Sequence, residues 1–163
     1  MAAVYAPRAP GAPIPPAGPN AQIYFSPYHE THYAFNNVSD HPVTYKGVLY
    51  RTAEHMYQAL KFLEHQPAIA QLVNDSTDPQ RLANSYNQHV QPDWPRMHLQ
   101  MMEKVLLLKF SLYPGLQMEL LATGDAELIQ LGSHNYWSRE NGSGNNEFGK
   151  VLMRVRSTLR AES

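Results

Sequence analysis

Proline decides where this chain can form regular structure. Six of its thirteen prolines fall in the first twenty residues, MAAVYAPRAPGAPIPPAGPN. Each fixes φ and removes a backbone donor, so residues 1–20 are excluded from sheet and helix and are expected to form an extended tail. A role as a proline-rich ligand stays open beside that of a plain extension. Further on, PAIAQLVND and DPQRLANSYN read as short helices, each opening near a proline, which the first helical turn tolerates.

Between these landmarks the periodicity is clear. IYF (Ile23 to Phe25) is strand-like, and VTYKGVLY reads as two short strands around Lys46-Gly47. RTAEHMYQALKF reads as a helix with Thr52 as N-cap and Glu54 in its first turn. Asp93 is expected to cap a longer helix, WPRMHLQMMEKVLLLKF, with Trp94 in the first turn. PGLQMELLATGDAELIQL suggests a helical pair broken at Thr123-Gly124. A polar, glycine-rich loop, SRENGSGNNEFG, then runs into a last helix, KVLMRVRSTLR. No internal repeat is present. The expectation is an α+β fold, a predominantly helical single domain over 21–163 with a small strand element near the N-terminus.

Composition narrows the function classes. A formal charge of −1 argues against a chain that holds nucleic acid chiefly through its phosphate backbone, which calls for a basic surface. The absence of cysteine excludes disulfides, thiolate metal sites and a cysteine nucleophile. No apolar run approaches the length of a membrane span, and no signal-peptide core is visible. The chain is expected to be soluble and intracellular, cytoplasmic or nuclear, with no membrane partner.

Three features carry candidate chemistry. In RTAEHMYQALKF, Glu54, Gln58 and Lys61 recur at i, i+4 and i+7, lining a carboxylate, an amide and an amine along one face. Ala53, Met56, Leu60 and Leu63 supply the opposite, core face. The polar stripe reads either as a solvated surface or as the floor of an active site. Trp94 and Trp137 sit beside polar or turn residues, as packing residues or as flat platforms for a base or sugar. GSGNNEFGK before the last helix is either a plain connection or a loop whose amides approach an anion. The histidines of H-E-T-H (His29 to His32) lack the helical metal-binding spacing, so no metal site is expected. A G-x-S-x-G elbow is also absent.

Five segments in order, spanning Ile23 to Leu159, resemble the NADAR family, also called YbiA-like proteins. They are IYFSP, FNNVSDHPVTYKGVLYRTAEHMYQALKF, PDWPRMHLQMMEKVLLLKF, LLATGDAELIQ and YWSRENGSGNNEFGKVLMRVR. The resemblance matches Glu54, Gln58 and Lys61 to the family's T-x-E-H-x-x-Q-x-x-K-F signature and Asn37 to its S-N-F asparagine. It matches Trp94 and Trp137 to the two motif tryptophans, and Gly144, Asn146 and Gly149 to the closing glycine–asparagine loop. The chain departs from the pattern at Val38, in place of phenylalanine, and at Ser138-Arg139, where an acidic residue is missing or shifted to Glu140. Gln130 stands where many bacterial members carry glutamate.

The resemblance implies an enzyme that cleaves N-glycosidic bonds of ribose. Its expected substrate is ADP-ribose on the amino group of guanine, in DNA, RNA or nucleotide. The alternative is a ribosylaminopyrimidine intermediate of riboflavin synthesis, and a third reading is a sensor that binds ADP-ribose or NAD without turnover. In either enzyme the expected catalytic pair is Glu54, as proton shuttle, and Lys61, as nucleophile forming a Schiff base at ribose C1. A variant keeps the ribose ring closed and leaves Lys61 to supply charge alone. Asn37, Arg51, Gln58, Trp94, Trp137, Gly144, Asn146 and Gly149 would bind substrate, and the chemistry needs no metal or redox cofactor.

Overall fold

The computed structural model describes residues 18–163. All but the last three residues of the expected proline-rich tail lie outside the described residues. Strand β1 (Gln22–Phe25) is the IYF segment, and a loop with a single 3-10 turn at Tyr33–Phe35 follows it. The hairpin β2 (Val43–Tyr45) and β3 (Val48–Tyr50) turns at Lys46 and Gly47, whose φ angles of 50° and 78° suit a tight two-residue connection. Its register pairs Val43 with Tyr50, and both are buried.

Helix α1 (Ala53–Leu60) begins where expected, with the Thr52 hydroxyl oxygen accepting the His55 amide at 3.2 Å. The imidazole of His55 also takes the Thr52 hydroxyl at Nδ1 (2.7 Å) and donates from Nε2 to the Ser76 carbonyl (2.8 Å). It therefore ties α1 to the end of α2 (Pro67–Asp75). Helix α3 (Pro79–Ser85) is capped by the Asp78 carboxylate. Asp93 stands at the N-cap of α4 (Trp94–Leu112) but makes no capping bond. With φ −88° and ψ 2° it lacks the extended backbone that aims a cap oxygen at the first amides.

The expected second helix of the ATGDAELIQL segment is a strand. Helix α5 (Pro114–Ala122) stops at Thr123, Gly124 turns left-handed at φ 60°, and Glu127–Gln130 forms β4. It pairs in parallel with β1, from Gln22 opposite Glu127 to Phe25 opposite Gln130. Leu128 and Ile129 point to opposite sides of the strand and are both buried, so no alternation marks it in the sequence. The last helix, α6 (Glu147–Glu162), starts three residues earlier than KVLM and lies across β4 and α4.

Helix α1 occupies the middle of the molecule, packed against α2, α3 and α4, and all eight of its residues are buried. Its polar stripe is therefore not a solvated surface. An aromatic core joins the two halves: Phe25 lies edge-on to Phe35 at 5.8 Å, with Phe148 6.0 Å from Phe25 and Phe110 5.9 Å from Phe35. Buried Lys109 of α4 donates to the carbonyls of Ala34 (2.6 Å) and Asn36 (2.7 Å) and to Ser39 Oγ (2.6 Å). It pins the loop that carries Asn37. Among the described residues no single helix is long and apolar enough to cross a membrane; α4 and α5 reach that length only as a pair bent by 112°.

Candidate active site

A cleft of about 450 Å³ opens between α1, the loops after β1 and the segment 130–138. Glu54 lies at its base, 8% exposed. Asn37 Nδ2 donates to one carboxylate oxygen, and Gln58 Nε2 donates to the other at 2.7 Å. The Glu54 amide returns a bond to the Asn37 carbonyl at 2.9 Å, so loop and helix are locked together twice. Burial raises the Glu54 carboxyl above its ordinary range; the amide donors and the charge of Lys61 oppose that rise without cancelling it.

The walls are aromatic and polar. Tyr57, one turn along from Glu54, stands edge-on to Trp137 at 6.0 Å and tilted against Trp94 at 5.3 Å. Burial, then the Glu54 charge, raises the Tyr57 phenol far above its usual range, so it remains protonated. Trp137 is held by Tyr136 and His98, whose Nε2 accepts from the Tyr136 hydroxyl at 2.5 Å while Nδ1 donates to the Pro95 carbonyl. Gln130 crosses the back of the cleft, donating to Asn36 Oδ1 (3.2 Å) and accepting from Ser138 Oγ (3.0 Å).

The residues singled out from sequence divide into two groups. Asn37, Glu54, Gln58 and Trp137 line the cleft together. Lys61 caps the end of α1 with its Nζ 5.7 Å from the Tyr57 ring centroid and 6.0 Å from that of Trp94. Burial lowers its pKa against the opposing pull of Glu54, and it makes no ion pair among the described residues. Trp94 is a core residue, 8% exposed, that backs Tyr57 and Lys61 and does not face the cleft. Arg51 is exposed and off the cleft wall.

The glycine–asparagine loop is scaffold where a phosphate cradle was expected. Asn146 Nδ2 donates to the Leu128 carbonyl (2.8 Å) and its Oδ1 accepts the Gln130 amide (3.0 Å), stitching β4 to the start of α6. A Cβ at Gly149 would overlap the Leu128 carbonyl oxygen, and one at Gly144 the Ser138 carbonyl oxygen. The first amides of α6, from Glu147 and Phe148, already bond the carbonyls of Tyr136 and Trp137 at 3.0 and 3.1 Å. Those two amides are therefore not free for an anion. Arg139 turns to Glu127 at 2.6 Å, and exposed Glu140 is spent in a turn with Ser143.

Tyr57 and Lys109 are neighbours of the cleft residues that sequence reasoning passed over, and Ser138 entered it only as a departure from the family pattern. The i+3 spacing of Tyr57 from Glu54 and a lone lysine inside the apolar run LLLKF were the available signals. No cluster of three histidine or carboxylate side chains able to hold a metal occurs among the described residues.

Residues 17–160 match the NADAR domain family. The chain is 31% identical over 144 residues to an N-glycosidase of Nostoc punctiforme, covering 85% of this chain and 92% of that protein. It is 30% identical over 131 residues to the N-glycosidase YbiA of Escherichia coli, covering 78% and 82%. A riboflavin biosynthesis protein of Vibrio vulnificus is 34% identical over 142 residues, and the chain spans 38% of that longer protein. The NMR structure of the E. coli protein YbiA superposes with a TM-score of 0.76 at 27% identity, over 91% of this chain and 90% of that one. With family match, relatives and fold in agreement, the chain belongs to the NADAR domain family.

Proposed function

We propose that this protein is a hydrolase of N-glycosyl bonds that removes ADP-ribose from the amino group of guanine. The observation that carries the reading is Glu54: a buried carboxyl of raised pKa, oriented by two amide donors, at the base of an aromatic-walled cleft. Such a group donates a proton to a departing amine and recovers one from water. The N-glycosidase names of the Nostoc and E. coli relatives support the bond type.

The steps follow from the chemistry of a ribosylamine. The nitrogen lone pair opens the ribose ring and leaves an imine at C1. The unprotonated Lys61 amine adds to C1, its lowered pKa raising the fraction able to do so. Its flexible stem allows it to leave the Tyr57–Trp94 pair for the cleft. Glu54 protonates the guanine amino group, the C1–N bond breaks, and a Schiff base remains on Lys61. Water then adds to C1 as Glu54 takes its proton, and the lysine departs to give free ADP-ribose. Water is consumed and guanine released, with no change in oxidation state. Trp137 offers a face on which the base stacks.

The Vibrio relative's name favours a second substrate, a ribosylaminopyrimidine of riboflavin synthesis, handled by the same steps. Incubation with ADP-ribosylated guanine DNA and, separately, with the ribosylaminopyrimidine distinguishes them. Release of ADP-ribose from the first alone is expected. Activity on the second alone reassigns the substrate, and tight binding of ADP-ribose without release makes the protein a sensor. Borohydride added during turnover should reduce the Schiff base to a stable adduct on Lys61. Robust turnover with no adduct would rule out the covalent route.

A further inference from the structure

Among the buried side-chain polar atoms of the described residues, Gln58 Oε1 has no hydrogen-bond partner. The residue is 3% exposed and lines the cleft. With Glu54 ionised, the amide cannot be turned over to relieve this: the neighbouring carboxylate oxygen, 2.7 Å away, accepts only, so the NH₂ faces Glu54 and the amide oxygen faces away from it. A buried acceptor left alone is costly, and the molecule keeps one on a residue that lines the cleft.

The identity of the missing donor follows from the position of the carboxyl. If Glu54 delivers its proton to the nitrogen on ribose C1, then C1 lies next to Glu54, and Gln58 Oε1 is one amide group further along α1. Three heavy atoms are bonded to C1. The scissile nitrogen is engaged by Glu54, and the ring oxygen carries no hydrogen in the closed ring and leaves C1 as the hydroxyl on C4 when the ring opens. Carbon C2 carries a hydroxyl, the donor nearest to C1 that remains for the amide oxygen. Hydrogen bonds to that hydroxyl strengthen as positive charge gathers at C1, so the contact assists the reaction as well as binding.

We propose that Gln58 Oε1 accepts a hydrogen bond from the 2′-hydroxyl of the ribose being cleaved, making the cleft selective for ribosyl over 2′-deoxyribosyl compounds. The inference rests on the N-glycosidase reading and adds the sugar to it. It also gives a physical reason for the cleft to leave the deoxyribose of a DNA strand untouched while acting on a ribose attached to it.

The test compares ADP-ribosylated guanine with its 2″-deoxy and 3″-deoxy counterparts, the missing hydroxyl lying on the ribose joined to guanine. Loss of the 2-hydroxyl should lower kcat/KM by about 100-fold or more, because a buried acceptor is then stranded. Loss of the 3-hydroxyl should cost much less. In Gln58→Met the ratio between ribosyl and 2″-deoxyribosyl substrates should collapse towards one, whatever the remaining rate. Equal use of both sugars by the native protein overturns the proposal, as does a preference that survives in Gln58→Met. If no substrate is turned over, the N-glycosidase reading fails and calorimetry with ribose 5-phosphate and 2-deoxyribose 5-phosphate decides the inference separately. A preference for ribose of about tenfold, lost in Gln58→Met, sustains it. Equal binding, or none, overturns it.

Discussion

At Glu54 two requirements meet that rarely coexist: the carboxyl is buried, which favours its neutral form, yet both its oxygens receive amide donors, which suit its charged form. Burial dominates, and the consequence reaches stability. A carboxyl whose folded pKa lies above its unfolded value is bound more tightly by protons in the folded state. Its contribution is most favourable below the unfolded pKa and is lost as pH rises through the folded one. In Glu54→Gln this dependence disappears. The native protein's melting temperature relative to Glu54→Gln should therefore rise as pH falls towards the carboxylate range, while the variant releases no product at any pH. A relative melting temperature that falls over the same interval would show the carboxyl to be depressed. Glu54 and Gln58 come together because four residues of helix set them on one face, whereas Asn37, in a loop, was singled out only through the family's S-N-F pattern. The roles of Gly144, Asn146 and Gly149 were not legible in the sequence. A backbone that must approach a phosphate and one that must approach another strand call for the same small residues, and only the position of Leu128 tells them apart.

Helix α6 meets strand β4 at Gly149, and this contact leaves no room for a side chain. A methyl group there strikes the Leu128 carbonyl oxygen and the Asn146 side chain, neither of which is the free end of a flexible chain. Gly149→Ala should cost about 3 kcal/mol as α6 is pushed from the sheet. Gly142 provides the contrast. Its φ is 78° but a Cβ there meets nothing within 4 Å, so Gly142→Ala should cost roughly 1–2 kcal/mol, the strain of a left-handed alanine. Urea unfolding of the two variants measures the difference, and equal midpoints would mean that α6 does not depend on close approach. The elements themselves were mostly legible. The hairpin at Lys46-Gly47, the Thr52 cap and the proline-led α2 and α3 follow from local preference. Strand β4 does not, because its partner lies at the other end of the described chain and its four residues carry no alternation.

Long-range ties join the N-terminal loops to the helical body, and Lys109 links them most directly to the chemistry. From α4 it holds Ala34, Asn36 and Ser39, the frame of the loop whose next residue, Asn37, orients Glu54. Its ammonium is surrounded by neutral acceptors with no carboxylate among them, and burial pushes its pKa down to about 7. For a base the sign is opposite to that of Glu54. Between about 7 and the ordinary lysine range the unfolded chain binds the proton and the folded one does not, so Lys109 makes stability rise with pH through that window and level off below it. Lys109→Met removes this slope. It also takes the short donor from the Ala34 and Asn36 carbonyls and from Ser39 Oγ, leaving them only the contacts within the loop, at a cost of about 1–3 kcal/mol in all. The same variant should slow turnover by raising the barrier more than by weakening binding, because Asn37 loses its fixed place beside the carboxyl while Trp137 and Gln58 keep theirs. Unfolding curves across neutral and mildly alkaline pH, with kcat and KM determined separately, measure both effects. A variant that lost stability but kept the native slope with pH would put the titrating group elsewhere. One that raised KM alone would detach the loop from the chemistry of Glu54.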